Sequence, residues 1–314
     1  METQLVLEKW PGAVSTVSIG AKKEEGGTRS CSIKIGGESA LPLLFKEGSI
    51  PNKPKIAFEV WDIAPCDWPE ELLAAYGEEI NDPLAWADKC VNKYKAELLC
   101  VKMQGAHPDF GNKGTGESAK FISRLLSRVN VPLVIIGSDD DTKDNLIMPA
   151  VSEAAKKERC IIGCAVQDNY KTLAASALAD GHSLIAQSPI DINIAKQLNI
   201  LISDMGLAFE RIVMDPTIGA LGYGLEYAYS IMERARLAAL SGDKTLACAF
   251  ICFIGQEAWK TKEAKSSIEQ GIVWEAVTAS SLIQAGADLL VMRHPKAIEK
   301  VNNFIEILYS TPRL

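Results

Sequence analysis

The sequence predicts an α/β fold, a parallel (β/α)8 barrel of the TIM type with an N-terminal β-hairpin extension, on three observations. From residue 55 onward, short apolar segments alternate with amphipathic ones eight times over. Seven of the eight apolar segments are short and rich in Val, Ile, Leu, Ala or Cys on both faces, as strands covered on both sides must be. The repeating region, residues 55–310, matches the roughly 250 residues typical of such barrels. A doubly wound open sheet is the alternative arrangement of the same units.

Residues 1–54 break the rhythm and are read as the hairpin extension, with 55–314 as the barrel. Val14, Val17 and Ile19 face Cys31, Ile33 and Ile35 across Glu25-Gly26-Gly27-Thr28, which predicts a hairpin around a glycine turn. It either plugs the barrel floor or serves as an arm for another subunit. The first barrel strand is predicted at 55–62, followed by a long segment, 63–82, carrying Trp68, Leu72, Leu73 and Tyr76. That composition suits an interface core, or a small helix packed over the rim. Asp82 before Pro83 is an N-cap before an N1 proline and opens the first full helix. The second strand is read at 96–104, and Phe121, Ile122, Leu125, Leu126 and Val129 then recur at helical spacing. Further strands follow at 131–139, 160–167, 182–188, 211–217 and 245–255, with Gly181, Gly206 and Gly242 where left-handed helix caps are wanted. Gly286 closes another helical run, the eighth strand covers 287–294, and Ile298, Val301, Ile305 and Leu308 form the last helix face.

Charge and composition exclude several function classes. With 33 basic against 40 acidic residues, a net charge of -7 and dispersed Lys and Arg, the chain has no electrostatic attraction for nucleic acid. The longest nearly uninterrupted apolar run, 246–255, is half of the about 20 residues needed to cross a bilayer, so no membrane span is predicted. Residues 1–10 carry Glu2 and Glu8 and no apolar core, which predicts no secretory signal and a cytoplasmic location. The eight cysteines are read as core thiols. Cys160-x3-Cys164 and Cys248-x3-Cys252 do not chelate one metal, because strand residues four apart point the same way but are separated by about 13 Å of rise.

In such a barrel the strand ends and the loops after them build the active face. The polar residues there are Asp62, Gln104, Asp139, Asp140, Gln167, Asp168, Gln187, Asp215, Thr217, Gln256 and His294. Carboxylates and amides suit a neutral heterocycle or a corrin rim better than a phosphate, although Asp139, Asp140, Asp141 and Asp144 also read as helix caps. Gly111-x-x-Gly114-x-Gly116-Glu117-Ser118 lacks the lysine of a phosphate loop. Gly219-x-x-Gly222-x-Gly224 has the reverse of the dinucleotide spacing and is read as permitting close approach of a planar ligand or a partner backbone. Glu59 and Lys102 lie on adjacent strands, as a structural ion pair or with Lys102 as a Schiff-base lysine.

The order of Ala40-Leu-Pro-Leu-Leu-Phe-Lys-Glu-Gly48, Pro51-Asn-Lys-Pro54, Ile56-Ala-Phe-Glu-Val-Trp-Asp62 and Val213-Met-Asp-Pro-Thr-Ile-Gly219 resembles the small (delta) subunit of the corrinoid iron-sulfur protein of the carbon monoxide dehydrogenase/acetyl-CoA synthase system, over the whole chain. The resemblance implies a non-catalytic barrel, cytoplasmic and without metal of its own, in a heterodimer with a large subunit that carries a cobamide and a [4Fe-4S] cluster. The pair would pass a methyl group from a methyltetrahydrofolate methyltransferase to acetyl-CoA synthase in the reductive acetyl-CoA (Wood-Ljungdahl) pathway of carbon fixation. It also implies a corrinoid-facing barrel mouth formed by Asp139, Gln167, Asp168, Gln187, Asp215, Thr217, Gly219, Gly222, Gly224 and Gln256. The pterin-dependent methyltransferases share an Asp-Pro like Asp215-Pro216, but end their seventh strand in an asparagine where this chain reads Cys252-Phe-Ile-Gly-Gln256. Pterin-dependent methyl transfer and a Schiff-base lyase remain the alternatives.

Overall fold

A computed structural model describes residues 6–310; residues 1–5, including Glu2 of the expected non-secretory terminus, and 311–314 lie outside the described residues. Two short strands, β1 (Thr16–Ile19) and β2 (Ile33–Gly36), pair antiparallel with Val17 opposite Ile35 and Ile19 opposite Ile33. Eight parallel strands then close a barrel in chain order: β3 (Lys55–Trp61), β4 (Leu99–Lys102), β5 (Leu133–Ile136), β6 (Ile161–Ala165), β7 (Ser183–Gln187), β8 (Ile212–Asp215), β9 (Ala249–Cys252) and β10 (Leu289–Met292). The helices between and after them are α1 (Glu70–Ala74), α2 (Pro83–Asn92), α3 (Thr115–Arg128), α4 (Asp141–Ala154), α5 (Tyr170–Asp180), α6 (Ile192–Asp204), α7 (Leu225–Leu240), α8 (Ile254–Ala258), α9 (Ile268–Gln284) and α10 (Pro295–Ser310).

Each predicted barrel strand contains an observed one. The largest overestimate is 245–255, of which only Ala249–Cys252 is strand: Lys244–Leu246 forms a 3₁₀ turn before it and α8 begins at Ile254. An apolar run continues past the strand because the flanking turn and helix are buried too. The caps follow the sequence: the Asp82 side chain accepts from the amide of Leu84, and Gly181 closes α5 at φ +84°.

The hairpin is wider than a tight glycine turn. Residues 20–32 connect its strands through a 3₁₀ turn, Lys23–Glu25, closed by Gly26 at φ +87°. Val14 lies outside the hairpin and packs on Ala239 and Ala247. Val17, Ile19, Ile33 and Ile35 instead belong to one apolar cluster with the inward-facing Ala57, Leu98, Val134, Ile161, Val213, Ala249 and Leu289. Amides of Ser15, Gly20 and Ser30 donate to the carbonyls of Ala247, Arg159 and Asn130, residues that precede barrel strands. The hairpin therefore seals the N-terminal end of the barrel, and Ile19 and Ile35, both fully buried, contribute about 1.5–3 kcal/mol each by burial. Arg29 fixes its connection, pairing with Glu158 at 2.8 Å and donating to the carbonyls of Val129 and Leu126.

Sealing one end leaves the C-terminal end for ligands. The inward positions run 57, 59, 61 on β3, 98 just before β4 with 100 and 102 on it, and 289 and 291 on β10 with 293 just after it, alternating with outward residues that pack under the helices. At Gly163 on β6, an added Cβ would meet Ile185 Cβ at 2.6 Å, so only glycine lets β6 and β7 approach there.

Candidate functional site

The C-terminal face divides into two halves. Over β10, β3 and β4 it is filled by the chain's own side chains. Arg293 donates to both carboxylate oxygens of Glu59, at 2.8 and 2.9 Å, while the indole of Trp61 donates to the same carboxylate at 2.6 Å. Burial alone would raise Glu59, but the Arg293 guanidinium overrides it and holds the carboxyl below its usual range. The guanidinium also lies over two rings, Trp68 at 4.6 Å and Trp61 at 5.7 Å from the centroids. The hydroxyl of Tyr76 donates to the Arg293 carbonyl, and Trp68, Leu72 and Tyr76 are buried. The segment 63–82 is thus a lid packed over the rim, not an exposed interface core. Beneath it Glu275 accepts from the amides of Arg293 and His294 and from the Trp259 indole, and burial pushes its carboxyl up to about 7.

Over β6, β7 and β8 the face is open. A pocket of about 450 Å³ is lined by Gln167, Asp168, Gln187 and Thr217, together with Asp141, Gln197 and an apolar wall that includes Ile194 and Leu198. Asp215 lies beneath it, buried. One of its oxygens accepts from Gln187 Nε2 at 2.7 Å and the other from the Thr217 amide at 2.9 Å, and burial pushes its carboxyl up to about 6. The pocket gathers four of the ten predicted mouth residues directly and Asp215 through Gln187.

The others do not line this pocket. Asp139 is paired with Lys102 at 2.5 Å, and Asp140 caps α4 by accepting from the Lys143 amide. Gly219 is required by the loop itself, since an added Cβ would meet the Tyr223 carbonyl at 2.3 Å. Gly224 opens α7 at φ +94°, whereas a Cβ at Gly222 would meet nothing within 4 Å. Gln256 lies on α8 and does not line the pocket. Asp62 accepts from the Gly105 amide and from Lys113, Gln104 is buried in a 3₁₀ turn, and His294 accepts from the Lys296 amide at the start of α10.

Glu59 and Lys102 are not each other's hydrogen-bonded partners, because the register sets Glu59 beside Cys100 and Lys102 beside Trp61. Cys160 packs outside the barrel and Cys164 against its interior, so the two do not point the same way: the β6–β7 register shifts between Ile162 and Ala165. Burial pushes Cys160 and Cys248 up to about 12. Among the described residues no group of three His, Cys, Asp or Glu could hold a metal ion. Arg293 and Trp61 went unmarked in the sequence although alternation from Leu289 and Val291, and from Ala57 and Glu59, aims both inward.

Residues 16–314 match the protein family described as CO dehydrogenase/acetyl-CoA synthase delta subunit. The chain belongs to this family. Among delta-family relatives, the acetyl-CoA decarbonylase/synthase complex subunit delta of Methanocaldococcus jannaschii is 34% identical over 313 residues, 98% of this chain and 76% of that protein. The subunit delta of Methanothermobacter thermautotrophicus is 36% identical over 300 residues, 93% of this chain and 75% of that protein. In fold, this chain is similar to a dihydropteroate synthetase crystal structure at TM-score 0.58 with 12% identity, covering 84% of this chain and 97% of that one. A Xanthomonas albilineans dihydropteroate synthase with 4-aminobenzoic acid gives 0.57 with 14% identity, covering 85% and 96%. These confirm the barrel. No helix among the described residues is long and apolar enough to cross a membrane.

Proposed function

We propose that the chain caps the corrinoid of a heterodimeric corrinoid iron-sulfur methyl carrier. Its large partner subunit would hold the cobamide and a [4Fe-4S] cluster. The methyl group would come from a methyltetrahydrofolate methyltransferase and pass to acetyl-CoA synthase/carbon monoxide dehydrogenase in the cytoplasm. The observation that carries this reading is a delta-family barrel whose mouth is half filled by its own Trp61, Trp68 and Arg293. Barrel enzymes take substrates at that end, so a filled mouth favours a lid over a reaction chamber.

The residues present fit a corrinoid edge: amides and carboxylates beside apolar side chains, with no lysine or arginine among the residues lining the pocket. When bound, the reduced corrinoid supplies the nucleophile that carries the methyl group. This chain's contribution is to exclude water and oxidants from it. The pterin alternative is weakened by the seventh strand, which runs on into Cys252-Phe-Ile-Gly-Gln256 without the asparagine of the pterin-dependent methyltransferases. The lyase alternative is weakened by Lys102, held between Asp139 and the Trp61 ring. The test is the lifetime of cobalt(I), followed optically at fixed dissolved oxygen, in the large subunit alone and paired with this chain. At least a tenfold longer lifetime in the pair is expected; equal lifetimes refute the capping role.

A further inference from the structure

We infer that the pocket over β6, β7 and β8 selects a corrin by its peripheral arms, accepting primary carboxamides and rejecting free carboxylates. The inference rests on the capping reading and adds a specificity to it. The deciding geometry is at Gln187. Its Nε2 is committed to Asp215 at 2.7 Å, and Asp215 is fixed in turn by the Thr217 amide, so the Gln187 amide is pinned with Oε1 as the atom left to accept. Among the described residues that oxygen takes no hydrogen bond.

Two carboxylates, Asp141 and Asp168, line the same pocket, and among the described residues no cation does. Burial raises Asp141, and the nearby charge of Asp168 raises it further, which shows that the two share one field. The site is therefore rich in acceptors and negative charge. An arm ending in a carboxamide brings two N–H donors to it, whereas an ionised carboxylate brings only acceptors and a like charge. The carboxylate arm would give up its water with no donor in return except side-chain amides, since the Thr217 hydroxyl already donates to the Ser188 carbonyl at 2.6 Å. Val166, Ile194 and Leu201 offer apolar surface to the methylene stem that either arm carries.

The experiment uses the large subunit with and without this chain. The two probes are cobinamide, with its periphery amidated, and cobyrinic acid, with free carboxylate arms. Retention of each corrin is read from its visible absorption during equilibrium gel filtration near pH 7.5. Adding this chain is expected to raise the affinity for cobinamide at least tenfold more than for cobyrinic acid. Replacing both Asp141 and Asp168 with Asn should close most of that gap. Should the double variant fail to pair, Asp168→Asn alone, at an exposed side chain with no hydrogen bond among the described residues, must narrow the gap at least threefold. Equal gains for both corrins, or a gap untouched by the Asn variants, overturn the specificity while leaving the cap standing. No gain for either corrin overturns the cap and the specificity together.

Discussion

Over β10, β3 and β4 the barrel mouth is closed by Trp61, Trp68 and Arg293, whereas over β6, β7 and β8 a pocket of about 450 Å³ stays open among amides and carboxylates. Both halves have a buried carboxylate at or near a strand end. Glu59 meets a guanidinium and is held ionised; Asp215 meets only an amide side chain and a backbone N–H, and its carboxyl rises. The two differ in their partners: the guanidinium offsets desolvation at Glu59, and the two neutral donors do not offset it at Asp215. The closed half therefore behaves as core and the open half as surface, although both are built from the same strand–helix unit.

The largest effect expected from this difference lies in the closed half. Arg293→Ala leaves Glu59 buried without its counter-ion, which costs about 3–5 kcal/mol. Urea unfolding monitored by tryptophan fluorescence should show the midpoint fall with an unchanged slope. A loss below about 1 kcal/mol would mean that the closed half is as yielding as the open one.

Alternation made most of the fold legible, and it failed where an apolar run outlasts its strand, as at 245–255, or where the register shifts, as on β6. The eight strands, the Asp82 cap and the hairpin pairing of Val17 and Ile19 follow from period and turn chemistry, which are local. In the site, Gln187, Asp168 and Thr217 were legible as polar residues at strand ends. The Gly219 loop was not, because whether a glycine serves a ligand or its own turn depends on a contact with Tyr223 that spacing does not encode. Nor was the lid: Trp68 and Tyr76 read equally well as interface or core until Arg293, more than two hundred residues later, is set beneath them.

A second, smaller effect separates the halves by pH. Glu275 rises from 4.5 to about 7 and Asp215 from 3.8 to about 6 on folding, burial being the cause in each. A raised carboxyl favours the folded state fully below its unfolded pKa, and that contribution is lost as pH rises through the folded value. For Glu275 the window is pH 4.5 to 7 and the loss roughly 3 kcal/mol at 1.36 kcal/mol per unit. His294, lowered to about 4 by burial, acts in the opposite direction. The stability of wild type minus that of Glu275→Gln isolates the carboxyl, and should decline across that window. The decline belongs to the closed half, because Asp215 titrates alike in both proteins and cancels from the difference. A flat difference curve would show that Glu275 is ionised in the folded chain throughout.

The smallest change in stability is expected at Gly222, beside the open half in sequence but not a lining residue of its pocket. A Cβ there meets nothing within 4 Å, so Gly222→Trp costs only the strain of φ +76°, about 1–2 kcal/mol. The loop is tied down on either side, by the Trp274 indole donating to the Leu221 carbonyl at 3.0 Å and by the Tyr223 hydroxyl donating to Glu263 at 2.9 Å. A bulky residue at 222 is therefore presented outward without unravelling the loop. If the glycine loop lies against the partner's corrinoid, the indole should hold the corrinoid away while subunit pairing, checked by size, persists. The cobalt(I) lifetime in the complex should then fall at least threefold. An unchanged lifetime, with a ring that adds well over a hundred Å² of apolar surface at the position, would remove the Gly219–Gly224 loop from the cap and leave the β6–β8 pocket as its only corrinoid-facing part.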